Sequence, residues 1–199
     1  MSIAKVLAYL DSHRDEHVAQ LCQWLRIPSI SSQSEHKDDV MRAARFVADE
    51  LRSLGLKVES VQVDGGNPLV VAESEQRPER RTLLVYGHYD VQPVDPLDLW
   101  RNPPFEPVVA DGVVYARGAC DDKGQLYAHV KALEAYVRSG VELPVNLKFI
   151  IEGEEECGGH SVYAFTERNS ARLACDAVVI SDTSKYDERT PALTYSLKG

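Results

Sequence analysis

VNLKFIIEGEEECGG, residues 145–159, joins two unlike kinds of chain. Its first half is a short continuous apolar run, the pattern of a strand buried on both faces of a sheet. Its second half sets Glu152, Glu154, Glu155 and Glu156 at the end of that strand. Adjacent carboxylates repel, and an unpaired buried charge is costly. A run of glutamates by itself reads as a solvated surface. The alternative is that something strongly positive meets these carboxylates there, and the rest of the chain decides between the two.

Two other apolar runs end in the same manner. TLLVYG (82–87) runs into His88 and Asp90, and AVVI (177–180), also read as a buried strand, runs into Asp182. YARGACDDKG (115–124) is a Gly-bounded turn between a strand and a helix, and it carries Asp121 and Asp122. In open parallel sheets, ligands bind at the carboxyl ends of the strands. If these strands are parallel neighbours, His88, Asp90, Asp121, Asp122, Glu154, Glu155, Glu156 and Asp182 crowd one sheet edge. Seven carboxylates cannot all stay ionised there without cations. Imidazole with carboxylate oxygens suits zinc, with manganese or cobalt as alternatives. A carboxylate shared by two such ions would hold them about 3.5–4 Å apart.

Elsewhere the apolar spacing predicts one helix over the first 27 residues, stopped by Pro28, then a polar loop over 29–37. A second helix follows, with Asp38 and Asp39 at its start and Gly55 after its end as caps. KVESVQV and LVVAE read as strands, and VVADGVVYARG as a hairpin turning on Asp111-Gly112. A helix follows Gly124, a short one covers 160–168, and PALTYSLKG (191–199) alternates like a strand. This order gives an α/β fold: a central, largely parallel mixed sheet with helices on both faces, a three-layer sandwich. With 199 residues, 44% of them hydrophobic, there is enough apolar material for a core of one domain or somewhat more. A net charge of −9 argues against a nucleic-acid partner. No apolar run is long enough to span a membrane, and no signal peptide opens the chain. Four cysteines without paired spacing read as free thiols of a reducing, cytoplasmic compartment.

GHYDVQP, YARGACDDKGQ, EGEEECGG and ISDT occur in this order. Together they resemble the co-catalytic dizinc exopeptidases, the family of carnosinase-type dipeptidases, aminoacylases, glutamate carboxypeptidase and succinyl-diaminopimelate desuccinylase. The resemblance covers about residues 10–199 and assigns roles to matching positions. It implies that His88 and Asp182 ligate one ion, that Asp121 bridges two, and that Glu156 ligates the second. It implies that Asp90 orients the His88 ring and that Glu155 is the general base and acid. It also implies a cis peptide bond between Asp121 and Asp122. The implied activity is metal-dependent hydrolysis of the amide bond of dipeptides or small peptides by a metal-activated water. HYDVQP, DDKGQ and an aspartate at 182 lean toward dipeptidases. The alternatives are an N-acyl-amino-acid hydrolase of the same family and a catalytically silent metal-binding module.

The family takes one further histidine ligand from near its C-terminus and grips substrate with a lid domain that also forms a homodimer. Neither is present in these residues. Residues 1–190 therefore read as the N-terminal part of the metal-binding catalytic domain, and 191–199 as the start of the crossing to the lid. Such a piece alone would be inactive. HRDEH (13–17) lacks the glutamate that a zinc-protease helix places after its first histidine, and reads as a solvated helix face. His36, His129 and His160 read as structural or exposed, Cys120 and Cys157 as small residues packed behind the site. Trp100 and Phe105 either line the mouth of the site or anchor their Pro-rich loop.

Overall fold

The computed structural model describes residues 2–184, 186–187, 190 and 192–193. Two helices, α1 (Ile3–Ser12) and α2 (Arg14–Leu25), replace the single N-terminal helix expected. His13 is the break: at φ −111° and ψ 14° it leaves the helical region, and its amide closes α1 on Tyr9 O. Helix α3 (Lys37–Ser53) holds Asp38 and Asp39 inside its first turn rather than at the cap. The cap is His36, without a side-chain hydrogen bond, while the aspartates still face the positive end of the helix. Strands β1 (Lys57–Val61), β2 (Leu69–Glu73) and β3 (Thr82–His88) follow. Then come the hairpin β4 (Val108–Ala110) and β5 (Val113–Tyr115), helix α4 (Lys123–Arg138), strand β6 (Asn146–Glu152), helix α5 (His160–Arg168) and strand β7 (Ala177–Ile180). The hairpin turns on Asp111 and Gly112, both at positive φ (52° and 78°) as a tight hairpin turn requires.

The main sheet runs β1-β2-β6-β3-β7. β3 lies between β6 and β7 and is parallel to both, whereas β1 and β2 are antiparallel additions at the far edge. Three strands that end in acidic or imidazole residues thus point the same way, side by side. The period-two alternation sorts their side chains onto two faces. Val70, Ala72, Val85, Phe149 and Ile151 pack with Trp24, Val47, Leu51, Leu126 and Val130 of α2, α3 and α4. Leu69, Val71, Leu84 and Ile150 pack with Val162 and Phe165 of α5. The expected α/β sandwich is the observed one.

β7 departs from the expectation of a buried strand. Among the described residues it pairs with β3 alone, and Val178 and Ile180 are 52% and 54% exposed. An apolar run specifies extended chain but not what covers it: Val179 packs against the larger core cluster, while Val178 and Ile180 on the other face stay exposed. The alternating stretch at 191–199 falls outside the described residues except for Ala192 and Leu193.

The two strands should respond differently to truncation. Phe149 is 1% exposed in the larger core cluster. Phe149→Ala should cost about 3–5 kcal/mol in urea unfolding, and Val178→Ala no more than about 0.5 kcal/mol. Equal losses would contradict this assignment of the core.

Candidate metal centre

The chain beyond β3 is held in place by hydrogen bonds to three other segments. Tyr89 N–H donates to Glu152 O (2.9 Å), Val91 N–H to Ser29 O (3.0 Å) and Ser29 Oγ to Tyr89 O (2.6 Å). The buried Tyr89 hydroxyl donates to Pro68 O (2.6 Å). Between these ties Asp90 is fully buried. Its Oδ2 accepts from Ser31 Oγ (2.6 Å) and from Glu156 N–H (3.1 Å). Its Oδ1 lies 3.4 Å from His88 Nδ1, and its backbone oxygen 3.1 Å from the same nitrogen. Asp90 therefore occupies one side of the ring. Nε2 is left to face Asp121 Oδ1 at 3.1 Å and Asp182 Oδ2 at 3.5 Å.

The turn before α4 brings in Asp121 through a cis peptide bond to Asp122. Asp122 is 1% exposed, and its Oδ2 accepts the His88 backbone N–H (3.2 Å). Gly87 makes room for it, since a Cβ there would stand 2.5 Å from that oxygen. The next residue, Lys123, is wholly buried and donates to Ile27 O (2.8 Å) and Trp24 O (3.3 Å) at the end of α2. Helix-terminal carbonyls lack intrahelical partners and attract cations. Burial nevertheless pulls the ammonium down to about 7.

The four glutamates of the opening stretch divide by role. Glu152, the buried last residue of β6, accepts from Tyr86 OH (2.5 Å). Glu154 accepts from Asn67 N–H (2.7 Å) and Ser161 N–H (3.0 Å), binding the turn before β2 to the start of α5. It belongs to neither donor cluster. Glu155 and Glu156 lie in a 3₁₀ turn, Glu155–Cys157. Among the described residues two clusters bring a ring nitrogen and carboxylate oxygens within 4.8 Å of one another: His88, Asp121 and Asp182, and His88, Glu155 and Glu156. Glu156 also accepts from Gln92 Nε2 (2.6 Å). The resemblance pairs Glu156 with Asp121, whereas the geometry groups it with Glu155.

The donor set carries surplus negative charge. Burial works against a charged His88 ring, but the hydrogen bond and charge of Asp90, joined by Asp122 and Asp182, outweigh it and push the ring up to about 10. Burial raises Asp122 to about 7, His88 opposes the shift, and Asp182 and Asp121 reinforce it. Glu156 is raised as well, by burial first and by Asp121 and Glu155 among its neighbours, with Gln92 and His88 opposing. In the absence of other cations these groups collect protons. Imidazole and carboxylate oxygens are the donors that zinc and related ions take, and a divalent cation can replace those protons. The residues present fit such ions.

The remaining sequence candidates fall elsewhere. His13 stacks on Tyr9 (3.9 Å between centroids), and both it and His17 are half-buried against that ring rather than on a solvated face. His36 pairs with Asp39 (2.9 Å), and His160 opens α5. Cys120 and Cys157 are exposed, not packed behind the site, because each flanks a carboxylate on an open turn. Trp100 anchors its loop by donating to Val94 O (2.9 Å) beneath Arg117. Sequence reasoning missed Ser31, Gln92 and Ser181. Each acts through a partner more than 50 positions away, and no local signal marks it.

A histidine and carboxylates gathered at the ends of parallel strands are the layout of a metal-binding centre. Residues 84–194 match the family model described as Peptidase family M20/M25/M40, and the chain belongs to that family. It is 37% identical to the Beta-Ala-His dipeptidase of Homo sapiens, over 99% of this chain and 42% of that protein. It is 36% identical to the Cys-Gly metallodipeptidase dug1 of Schizosaccharomyces pombe, over 100% of this chain and 44% of that protein. The crystal structure of human carnosine dipeptidase 1 superposes with a TM-score of 0.86 at 37% identity, over 92% of this chain and 42% of that one. The chain thus spans about two fifths of the length of these relatives. Among the described residues no helix is long and apolar enough to cross a membrane.

The charge balance sets a pH dependence. With its pKa near 10, the metal-free His88 ring is protonated at neutral pH, and ligation requires it neutral. Zinc binding at pH 7.5 should release about one proton from this ring. The apparent affinity should fall as pH drops and rise toward pH 10. Calorimetry in buffers of different ionisation heat measures this, and binding without proton release would contradict it.

Proposed function

We propose that the protein is a metal-dependent peptidase, or part of one, that cleaves the amide bond of dipeptides or small peptides. It would use two divalent ions, zinc foremost. The observation that carries this is the pair of donor clusters sharing His88. The names of the dipeptidase relatives favour a peptide over an N-acyl substrate. His88, Asp121 and Asp182 would hold one ion, and Glu156, with Asp121, the other. When bound, the ions would polarise the scissile carbonyl and make a nucleophilic water more acidic.

The chain's own residues do the rest. Asp90 fixes the His88 ring from the Nδ1 side, and through the Glu156 amide it also positions the glutamate turn. Glu155, exposed beside Glu156, takes the proton of the attacking water and passes it to the leaving amine. Glu154 is engaged with two backbone amides, which favours Glu155 as the base and Glu156 as the ligand over a register one residue earlier.

Residues 1–190 then form the N-terminal part of the catalytic domain, with 191–199 leading to a lid and dimerisation domain. The share of the relatives covered supports this. On this division the 199 residues alone do not turn over substrate. Four free cysteines suit a reducing compartment such as the cytoplasm.

The two adjacent glutamates give the test. In the full-length enzyme, Glu155→Gln should keep its metal and lose about 10²–10⁴-fold in kcat, because an amide cannot accept the water's proton. Glu156→Gln should lose metal at one site. Metal content by elemental analysis, with turnover of β-Ala-His and Cys-Gly, separates the two. Metal loss in Glu155→Gln with retention in Glu156→Gln would reverse the roles.

A further inference from the structure

Asp182 reaches His88 from beyond β7, an edge strand of the main sheet among the described residues. Among the described residues β7 pairs on one side only, and its ladder with β3 ends at Ile180, opposite Tyr86. The turn beyond closes on itself, with Thr183 N–H donating to Ser181 O (2.7 Å). Asp182 meets His88 at 3.5 Å. Apart from that contact, one hydrogen bond among the described residues ties positions 181–183 to another element. It joins Ser181 Oγ to His129 Nε2 at 2.5 Å. His129 stands half-buried on α4, the helix whose N-terminus is fixed beneath His88 by Asp122 and Lys123. A neutral imidazole offers one donor and one acceptor and so can pair with a hydroxyl either way. Burial lowers the pKa of this ring and keeps it neutral.

We propose that His129 is a positioning residue for Asp182: its hydrogen bond to Ser181 fixes the turn at 181–183 so that the Asp182 carboxylate stays beside His88. This rests on reading His88, Asp121 and Asp182 as the ligands of one ion, and it adds a residue outside that set. Without the tether, the turn must be ordered each time an ion binds, which weakens that ion. Glu156 is delivered by a different turn, secured through Asp90 and Gln92, and its ion is untouched.

The experiment titrates zinc into the full-length protein in competition with a chromophoric chelator. Asp182→Asn identifies the ion that Asp182 holds. His129→Ala and Ser181→Ala should each weaken that same ion roughly tenfold, at the low end of the about 10–100-fold typical of groups behind metal ligands. The other ion and the thermal melting of the metal-free protein should be unchanged. The double variant should be no worse than either single one, and His129→Gln, whose amide can still bond the hydroxyl, should recover most of the affinity. Wild-type affinity in both alanine variants, equal weakening of both ions, or a loss in His129→Ala that Ser181→Ala does not share would overturn the proposal. If the wild type binds no zinc and Asp182→Asn changes nothing, the ligand set itself falls, and the proposal with it.

Discussion

One fully buried histidine set among carboxylates is the constraint on which the rest depends. His88 has Asp90 against Nδ1 and Asp121 and Asp182 against Nε2. A proton on the ring supplies one positive charge against several negative ones, and the low polarity around it magnifies the imbalance. A pair of divalent ions supplies four. The sheet order follows from the same need: β3 carries His88 and must lie between β6 and β7 for glutamates and Asp182 to reach it from either side. A strand order that separated these three would scatter the same residues.

The support behind the centre is as specific as the donors. Asp90 serves three partners at once, the His88 ring, the Ser31 hydroxyl and the Glu156 amide, so one carboxylate couples three distant segments. Lys123 does comparable work from below, tying the Asp121–Asp122 turn to the end of α2. Its ammonium has no carboxylate within ion-pair distance among the described residues; its direct contacts are two carbonyls and the Trp24 ring, 5.8 Å away. Burial lowers its proton affinity and the more distant charges of Asp90 and Asp39 only partly oppose it, in keeping with a pKa near 7.

The sequence made legible what is local or repeated. The runs at 82–87 and 145–151 are strands because continuous apolar stretches of that length fit a covered sheet, and their polar ends lie together as the parallel arrangement required. The helix at 160–168 has the bounds its pattern implied, and the hairpin turns on Asp111-Gly112 as expected, its second strand ending at Tyr115. What stayed hidden depends on the third dimension. AVVI reads the same whether or not its faces are covered, and here Val178 and Ile180 are exposed while Val179 packs inward. Glu154 is chemically indistinguishable from its neighbours, and only the approach of Asn67 and Ser161 gives it a structural task. His129 gave no sign of lying near the centre, because its partner is 52 positions away on another element.

Anomalous diffraction from crystals of the protein saturated with zinc tests the central claim most directly. The account predicts two peaks about 3.5–4 Å apart, one in contact with His88 and Asp182 and the other with Glu156, with Asp121 between them. A single peak, or peaks that leave His88 bound only to Asp90, would contradict it.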